Sequence, residues 1–452
     1  MNLKPSNGIL QICMPEIHSS LDLAAKIPLT ILSIQASAGD LCGSLKQNGG
    51  LTVKMKILDL EIQGYRSLKD VKWQPEDLNV VIGPNGTGKS NLLRLLEMIS
   101  VSSQGRLSRF IQSQGGMEPL VWDGSAPKIS LCLKSMPVEK VKDINSGGFI
   151  YTLELVRLGK GSSYRIEREK LEKHAETDIQ KAGNRGLFID RTGTKRQIYD
   201  DRHKERLPLE EEFSEDETLL SAASGPFTGN KIITSFQKQL ASWTVYHDLD
   251  VGQSSGIRQS AVSRIEKSVE PDGQNLVAVL HTLYTGERGF KREIDNAMRA
   301  AFGNDFEELI FPPAADQRIQ LRIRWKSLMR EQSAADLSDG TLRFLLLLTI
   351  LGSPSPPPLI AIDEPETGLH PSMLPIIAEY AYEASRRSQV IITTHSPQLL
   401  DAFGERKPAV TVTGWKNGET VLRTLGSREL DHWLREFSLG SLYTSGELEG
   451  MV

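Results

Sequence analysis

The sequence predicts an α/β fold, and three observations carry that expectation. An apolar run, Leu78 to Ile82, leads into the glycine-rich stretch Gly83 to Ser90 and then into a helical pattern, Asn91 to Met98. A second apolar run, Leu359 to Ile362, ends in the acids Asp363 and Glu364, and a third, Val390 to Thr394, ends in His395. Short apolar runs bounded by turn signals read as buried strands.

In chain order, residues 1–54 mix isolated polar and apolar positions and close on the turn signal Gly49-Gly50. They read as an N-terminal extension: a disordered appendage, a segment packed on the core, or the product of a mis-set start with the working chain beginning at Met55. Lys56 to Gln63 alternates as a half-buried strand ahead of the buried run at Leu78. Ile129 to Leu133, Phe149 to Leu158 and Ser163 to Glu169 are β-rich, punctuated by Ser146-Gly147-Gly148 and Gly159 to Gly161, and predict a β-rich lobe built as a meander. Residues 173–208 are polar without a clear period. Glu210 to Glu217 holds six acids in eight positions, a solvated face or loop to which no chemistry is assigned. Helical patterns over Lys231 to Trp243, Gly273 to Tyr284 and Phe290 to Phe302 precede a strand-like Ile319 to Trp325. They predict a helical insertion, about 205–330, within a head domain spanning 55–405, with 406–452 as a C-terminal segment. Sustained heptads and internal repeats are absent from the sequence.

Composition bounds the function. The 452 residues carry 53 Lys and Arg against 57 Asp and Glu, a formal charge of −4, so the chain is no polycation. Its length suits about three domain units, or one large domain with insertions. With 39% hydrophobic and 24% charged residues it is not a wholly disordered chain. Cys13, Cys42 and Cys132 are an odd set without a CxxC pair, which supports neither a disulfide framework nor a cysteine zinc site and points to a reducing, cytoplasmic setting. The longest apolar stretch, Phe344 to Leu351, is far shorter than the ~20 residues that cross a bilayer. Pro5, Pro15, Glu16 and Asp22 interrupt every apolar run of a candidate secretory leader. No membrane association is expected.

The stretch GPNGTGKS at 83–90 matches G-x-x-x-x-G-K-[ST] between a strand and a helix, the context that gives this pattern its meaning. Glycines at 83, 86 and 88 permit positive φ and close backbone approach, so successive amides and the helix N-terminus can face phosphate oxygens. The candidate nucleotide-binding residues are Gly83, Pro84, Asn85, Gly86, Thr87, Gly88, Lys89, Ser90 and Asn91. Lys89 would place a cation on the β- and γ-phosphates, and Ser90 would offer a hydroxyl to Mg²⁺. ATP and Mg²⁺ are the implied ligands. Asp363 suits a Mg²⁺ ligand, and Glu364 suits a base that takes a proton from attacking water. An isolated Asp-Glu pair is ordinarily surface charge; its place at the end of a buried strand argues otherwise. Ser338, ahead of the apolar Leu342 to Leu351, suits a helix N-cap.

In order, the glycine loop, LSDGT at 337–341, IAIDEPETGLHP at 360–371 and IITTHS at 391–396 resemble the ABC-type ATPase superfamily. That resemblance implies a P-loop NTPase head of ABC type. LSDGT stands where the superfamily has LSGGQ, the signature that touches the γ-phosphate bound by the opposite subunit. Asp339 and Thr341 replace a Gly and the Gln, so only Ser338 and Gly340 carry over as signature contacts. His395 matches the switch histidine, which senses γ-phosphate and helps position water, so the resemblance implies Glu364, His395 and Lys89 as catalytic residues. His370 matches the D-loop region, against a local turn role beside Pro371. Gly64 to Leu68 resembles the motif after the first strand in the branch containing SMC, RecF and OLD (overcoming lysogenization defect) proteins. It implies Arg66 near the phosphates, against a surface ion pair. The superfamily also places a glutamine after the glycine loop, for which Gln104, Gln112 and Gln114 compete.

Lys89 and Ser338 lie 249 residues apart, beyond the compact insertion of transporter subunits, and the missing heptads argue against a long-armed SMC protein. The resemblance, over about 56–403, is to headpiece-only members such as RecF and the ATPase part of OLD proteins. Only 51 residues follow Asp401, too few for the Toprim nuclease of OLD proteins on a scale of ~100 residues per domain. Asp248-Leu249-Asp250 has the spelling of a nuclease metal site without a partner glutamate motif. The expected function is Mg²⁺-dependent ATP hydrolysis coupled to head homodimerisation, in DNA repair or anti-phage defence. Each site would join Lys89, Ser90, Asp363, Glu364 and His395 to the other chain's Ser338 and Gly340. DNA is a candidate partner, through basic residues such as Arg292, Arg322 and Arg324. The alternatives are a nucleotide-gated scaffold for a separately encoded effector such as a nuclease, and a transporter ATPase subunit.

Overall fold

The computed structural model describes residues 55–136, 148–159, 163–174, 186–201, 203–208, 214–223, 230–426, 430, 433–434 and 436–451. The expectations for residues 1–54 and for Glu210 to Glu212 lie outside these residues.

From Met55 the chain forms β1 (Ile57–Tyr65), β2 (Leu68–Trp73) and β3 (Leu78–Ile82), then α1 (Lys89–Ser102) and α2 (Leu107–Ser113). A meander follows, with β4 (Lys128–Ser135), β5 (Phe149–Arg157), β6 (Tyr164–Lys173), β7 (Leu187–Thr192), β8 (Lys195–Asp200) and β9 (Glu205–Pro208). After α3 (Leu219–Ala222) and α4 (Lys231–Ala241), β10 (Thr244–Tyr246) and β11 (Ala261–Val262) lead to α5 (Leu276–Gly286) and α6 (Arg288–Phe302). Short strands β12 (Phe306–Ile310), β13 (Pro313–Ala314), β14 (Arg318–Ile319), β15 (Arg322–Trp325) and β16 (Gln332–Ser333) precede α7 (Asp339–Leu351). The chain closes with β17 (Leu359–Asp363), α8 (Leu374–Ser385), β18 (Gln389–Thr393), α9 (Pro397–Phe403), β19 (Ala409–Lys416), β20 (Glu419–Thr424) and α10 (Leu439–Thr444).

The central sheet has strand order β10-β17-β18-β3-β19-β20 and is parallel except for the β19–β20 hairpin. Every residue of β3 and β18 is buried. Their alternating side chains divide between two cores, as the two-residue pleat requires. Val81, Ala361 and Ile391 enter a core shared with α1, α4 and the β-rich lobe. Val80, Ile82, Ile360, Ile362, Val390 and Ile392 enter another formed with α5, α6, α7, α8 and α9. The lobe is an eight-stranded antiparallel sheet in the order β2-β1-β4-β5-β6-β7-β8-β9. Two small three-stranded sheets, β11-β14-β13 and β12-β15-β16, accompany α5 and α6. The expected α/β fold with a β-rich lobe and helical insertion is therefore present.

The structure redraws some boundaries. Residues 173–208, read as lacking a period, contain β7, β8 and β9. Inward positions there are held by Arg191 and Arg196, 1% and 9% exposed, so charge breaks the apolar alternation. The buried Arg191 guanidinium donates through its two terminal nitrogens to the carbonyls of Glu217 and Glu215. The stretch expected as one helical insertion begins with β9 of the lobe and contains β10, an edge strand of the central sheet. The C-terminal segment is not peripheral, because β19 pairs directly with β3. Among the described residues no helix is long and apolar enough to cross a membrane.

Candidate active site

The parallel strands β3, β17 and β18 end at one rim, which carries the glycine loop, Asp363, Glu364 and His395. The chain leaves β3 at Gly83 and enters α1 at Lys89 through a loop with φ of 141° at Gly83, 81° at Gly86 and 102° at Gly88. A Cβ at Gly83 would lie 2.3 Å from the Thr413 carbonyl oxygen, and one at Gly88 would lie 2.2 Å from the Thr420 hydroxyl. The loop thus depends on glycine for conformation and for clearance. The β19–β20 hairpin buttresses it: the Thr87 and Thr413 hydroxyls are 2.5 Å apart, and the Thr420 hydroxyl donates to the Thr87 carbonyl at 2.8 Å. Asn91 Nδ2 donates to Ser67 Oγ at 2.8 Å, fixing the first turn of α1 to the β1–β2 turn. Lys89 is 5% exposed, and its Nζ donates to the carbonyls of Gly83 and Pro84 at 2.6 and 3.1 Å. Burial lowers its pKa, against the opposing pull of Glu364, Asp363, Glu366 and Glu449.

Asp363 ends β17 facing this loop. Burial alone would raise its pKa, but the His247 imidazole 3.6 Å away, the hydrogen bond from the Thr393 hydroxyl and the nearby Ser90 hydroxyl outweigh burial and hold the carboxyl below its usual range. The Ser90 hydroxyl and the Asp363 carboxylate are therefore neighbours, a hard-oxygen pair that fits a divalent cation such as Mg²⁺. Glu364 follows with φ of +47°, left-handed backbone uncommon outside glycine. Its amide donates to the Thr393 carbonyl at 3.1 Å, and its carboxylate lies 3.3 Å from His395 Nε2. His395 follows β18, with its Nδ1 buried and without a hydrogen-bond partner. Lys89 and Ser90 at the start of α1 thus neighbour Asp363, Glu364 and His395 at the ends of β17 and β18.

Ser338 stands at the start of α7. It caps α7, its hydroxyl accepting from the Thr341 amide at 3.1 Å, and it is exposed. A Cβ at Gly340 would come within 2.7 Å of the Gly368 carbonyl oxygen, so the turn at 337–341 packs against the loop after β17. Asp339 pairs with Arg258, whose guanidinium also donates to the carbonyls of Val251, Gly252, Ala334, Ala335 and Leu337. His370 takes the turn role: its Nδ1 accepts from the Ser372 amide at 3.2 Å.

Arg66 adopts a φ of +46° in the β1–β2 turn and donates to Gln114 Oε1 at 2.6 Å. Ser67 beside it bonds to Asn91 and Thr420, so the turn abuts the glycine loop. Of the three competing glutamines, Gln104 is held by Ser100 and the Ala241 carbonyl, and Gln112 reaches Ser108. None of them is shown at the end of the strand beside β17. That strand is β10, and the residue after it is His247, with Nδ1 3.6 Å from Asp363 and Nε2 3.4 Å from Glu97 of α1. Burial works against protonating His247, but these carboxylates prevail and raise its pKa. The sequence reading missed His247 because β10 has three residues, too few to show a period. It also missed Glu366, whose Oε1 accepts from the Thr394 hydroxyl at 2.5 Å and the His395 amide at 3.3 Å. Asp248 and Asp250 line a small cavity with His247, Asp363 and Glu364, and among the described residues no group of acids, histidines and cysteines is arranged to hold a metal without further ligands.

A glycine loop at the end of a central parallel strand, with a carboxylate pair on the next strand but one, defines an AAA-type P-loop ATPase domain. The comparisons agree. Residues 78–401 match the family described as "AAA domain, putative AbiEii toxin, Type IV TA system", and the chain belongs to that family. Among solved structures, one titled an SmcHead bound to the C-winged helix domain of ScpA aligns at a TM-score of 0.50 and 14% identity, covering 83% of this chain and 99% of that one. It shows the fold to be that of an SMC-type head. An Smc head with an extended coiled coil bound to the C-terminal domain of ScpA, derived from Pyrococcus furiosus, aligns at 0.49 and 12%, covering 84% and 99%. The SMC head domain from Thermotoga maritima aligns at 0.40 and 13%, covering 82% and 99%. No curated protein matches significantly in sequence.

Proposed function

We propose that the chain binds Mg²⁺ and ATP on the loop Gly83 to Asn91 and hydrolyses ATP in a pair of heads, each lending its Ser338 and Gly340 to the other's nucleotide. The observation that carries this reading is the Glu364–His395 pair, 3.3 Å apart at the rim that also holds buried Lys89. Lys89 and the loop amides bind the phosphates. Ser90 and Asp363 would hold Mg²⁺, which would supply charge neutralisation for the phosphates. Glu364 accepts the proton of the attacking water, and His395, steered by Glu366 through its backbone, orients that water against the γ-phosphate. The exposed N-cap of α7 supports a contact in trans, since a helix N-terminus with a capping hydroxyl suits an anion.

DNA repair or anti-phage defence is the setting in which this reading is placed, supported by the family description with its toxin–antitoxin reference. A second reading shares the site: slow hydrolysis switches the docking of a separately encoded effector. It is supported by the SMC-head structure in which the head holds a winged-helix domain of ScpA.

The Glu364→Gln variant should bind ATP with unchanged affinity, lose turnover by two orders of magnitude or more, and accumulate as an ATP-dependent dimer in light scattering; wild-type turnover in this variant refutes Glu364 as the base. Lys89→Ala should lose ATP binding in calorimetry, and normal binding there removes the phosphate assignment. Turnover measured alone, with duplex DNA and with the products of adjacent genes separates the two settings.

A further inference from the structure

We propose that the indole of Trp415 is the platform on which the base of the bound nucleotide stacks. This assignment rests on the reading of Gly83 to Asn91 as the phosphate site and adds where the nucleoside end goes.

The direction of the nucleotide follows from strand order. β3, which feeds the glycine loop, lies between β18 and β19. Glu364 and His395 stand at the ends of β17 and β18, on one side of the loop. A triphosphate whose γ-phosphate lies at those residues runs its nucleoside end toward the other side, over β19 and its hairpin.

A cavity of about 630 Å³ opens there, within the size range of small-molecule sites. It is lined on one wall by Pro84, Asn85, Gly86 and Thr87 and on the other by Thr413 to Lys416, with Glu449 at its edge. The pleat sets which way Trp415 faces. Side chains two apart on a strand, and those directly opposite on an antiparallel neighbour, share one face of the sheet. Thr413 lies two residues before Trp415, and Thr420 is its cross-strand partner. Both threonine hydroxyls touch Thr87 of the glycine loop. Trp415 therefore projects from the face that holds the loop, one step further along the strand, with 55% of its surface exposed. A large aromatic plane on the rim of a phosphate-binding loop is suited to a purine, because base–aromatic stacking needs only a π-face.

The test compares ATP with inorganic tripolyphosphate, which has the phosphates and no base. In Mg²⁺ buffer, Trp415→Ala should lose about ten-fold or more in ATP affinity by calorimetry while binding tripolyphosphate as the wild type does, and Trp415→Phe should recover most of the loss. Indole emission, taken as the difference between the wild type and Trp415→Phe, should be quenched by ATP and not by tripolyphosphate. An unchanged ATP affinity in Trp415→Ala, or an equal loss for both ligands, overturns the platform and leaves the phosphate site standing. A wild-type chain that binds neither ligand overturns both.

Discussion

Asp339 occupies a position where the resembled signature has glycine, and a carboxylate beside a phosphate contact is unfavourable on charge alone. The structure answers this through Arg258, whose side chain is 3% exposed and pairs with Asp339 while closing on five backbone carbonyls. Those carbonyls belong to the segment that follows His247 and to the turn that precedes α7. Arg258 thus ties the strand end beside Asp363 to the signature turn. Arg258→Ala should destabilise the fold by about 3–5 kcal/mol, because buried carbonyls lose their donor. The milder Asp339→Asn should keep the fold in thermal melts and keep ATP affinity, yet lower kcat with little change in KM, if the pair positions Ser338. At Glu364 the left-handed backbone is strained by an amount of order 1–3 kcal/mol. Glu364→Gly should therefore raise the melting temperature while abolishing turnover, the opposite signs being the mark of strain held at the proposed catalytic position. The legible residues were those whose chemistry is local: Gly83, Gly86, Gly88 and Lys89 are recognisable because conformation and charge are needed within one loop. His247, Glu366 and Arg258 were not, because each acts on a residue distant in sequence.

Elements show the same division. β3, β17 and β18 were readable as continuous apolar runs because both of their faces are covered, and α7 because Ser338 marks its start. β7 and β8 were hidden by buried arginines, and β10 by its length. Ser338 has one observed role at this scale, the N-cap of α7, and one proposed role, the contact in trans. Ser338→Ala should cost about 1 kcal/mol of stability as a lost N-cap. Ser338→Asn or Ser338→Asp, which keep a capping oxygen, should restore that stability; of these, only the uncharged Asn should retain measurable turnover if the cap faces a phosphate in trans. Gly88→Ala places a Cβ against the Thr420 hydroxyl of the supporting hairpin. It should abolish ATP binding while circular dichroism stays that of the wild type, since the loop and not the sheet is displaced.

At the scale of the whole molecule, the proposed site draws on the rim of β3, β17 and β18 in one chain and the exposed cap of α7 in the other. Mixing two inactive variants tests the division. Lys89→Ala retains a sound signature, and Ser338→Arg retains a sound glycine loop, so a mixed dimer has one complete site. Turnover should reappear on mixing and rise with protein concentration. A mixture as inactive as its parts places the signature contact elsewhere.

The order of motifs along the chain already determined the class of protein, since a phosphate loop, a strand-end carboxylate pair and a strand-end histidine are each built from contiguous residues whose backbone conformations are local. The tertiary structure alone decided what surrounds them. It set His247 beside Asp363, drew the C-terminal hairpin against the glycine loop with Trp415 at its rim, and closed Arg258 on the signature turn. These are contacts between segments separated by tens to hundreds of residues, created by strand order and register, and no local pattern of side chains encodes which distant neighbour the fold will bring alongside.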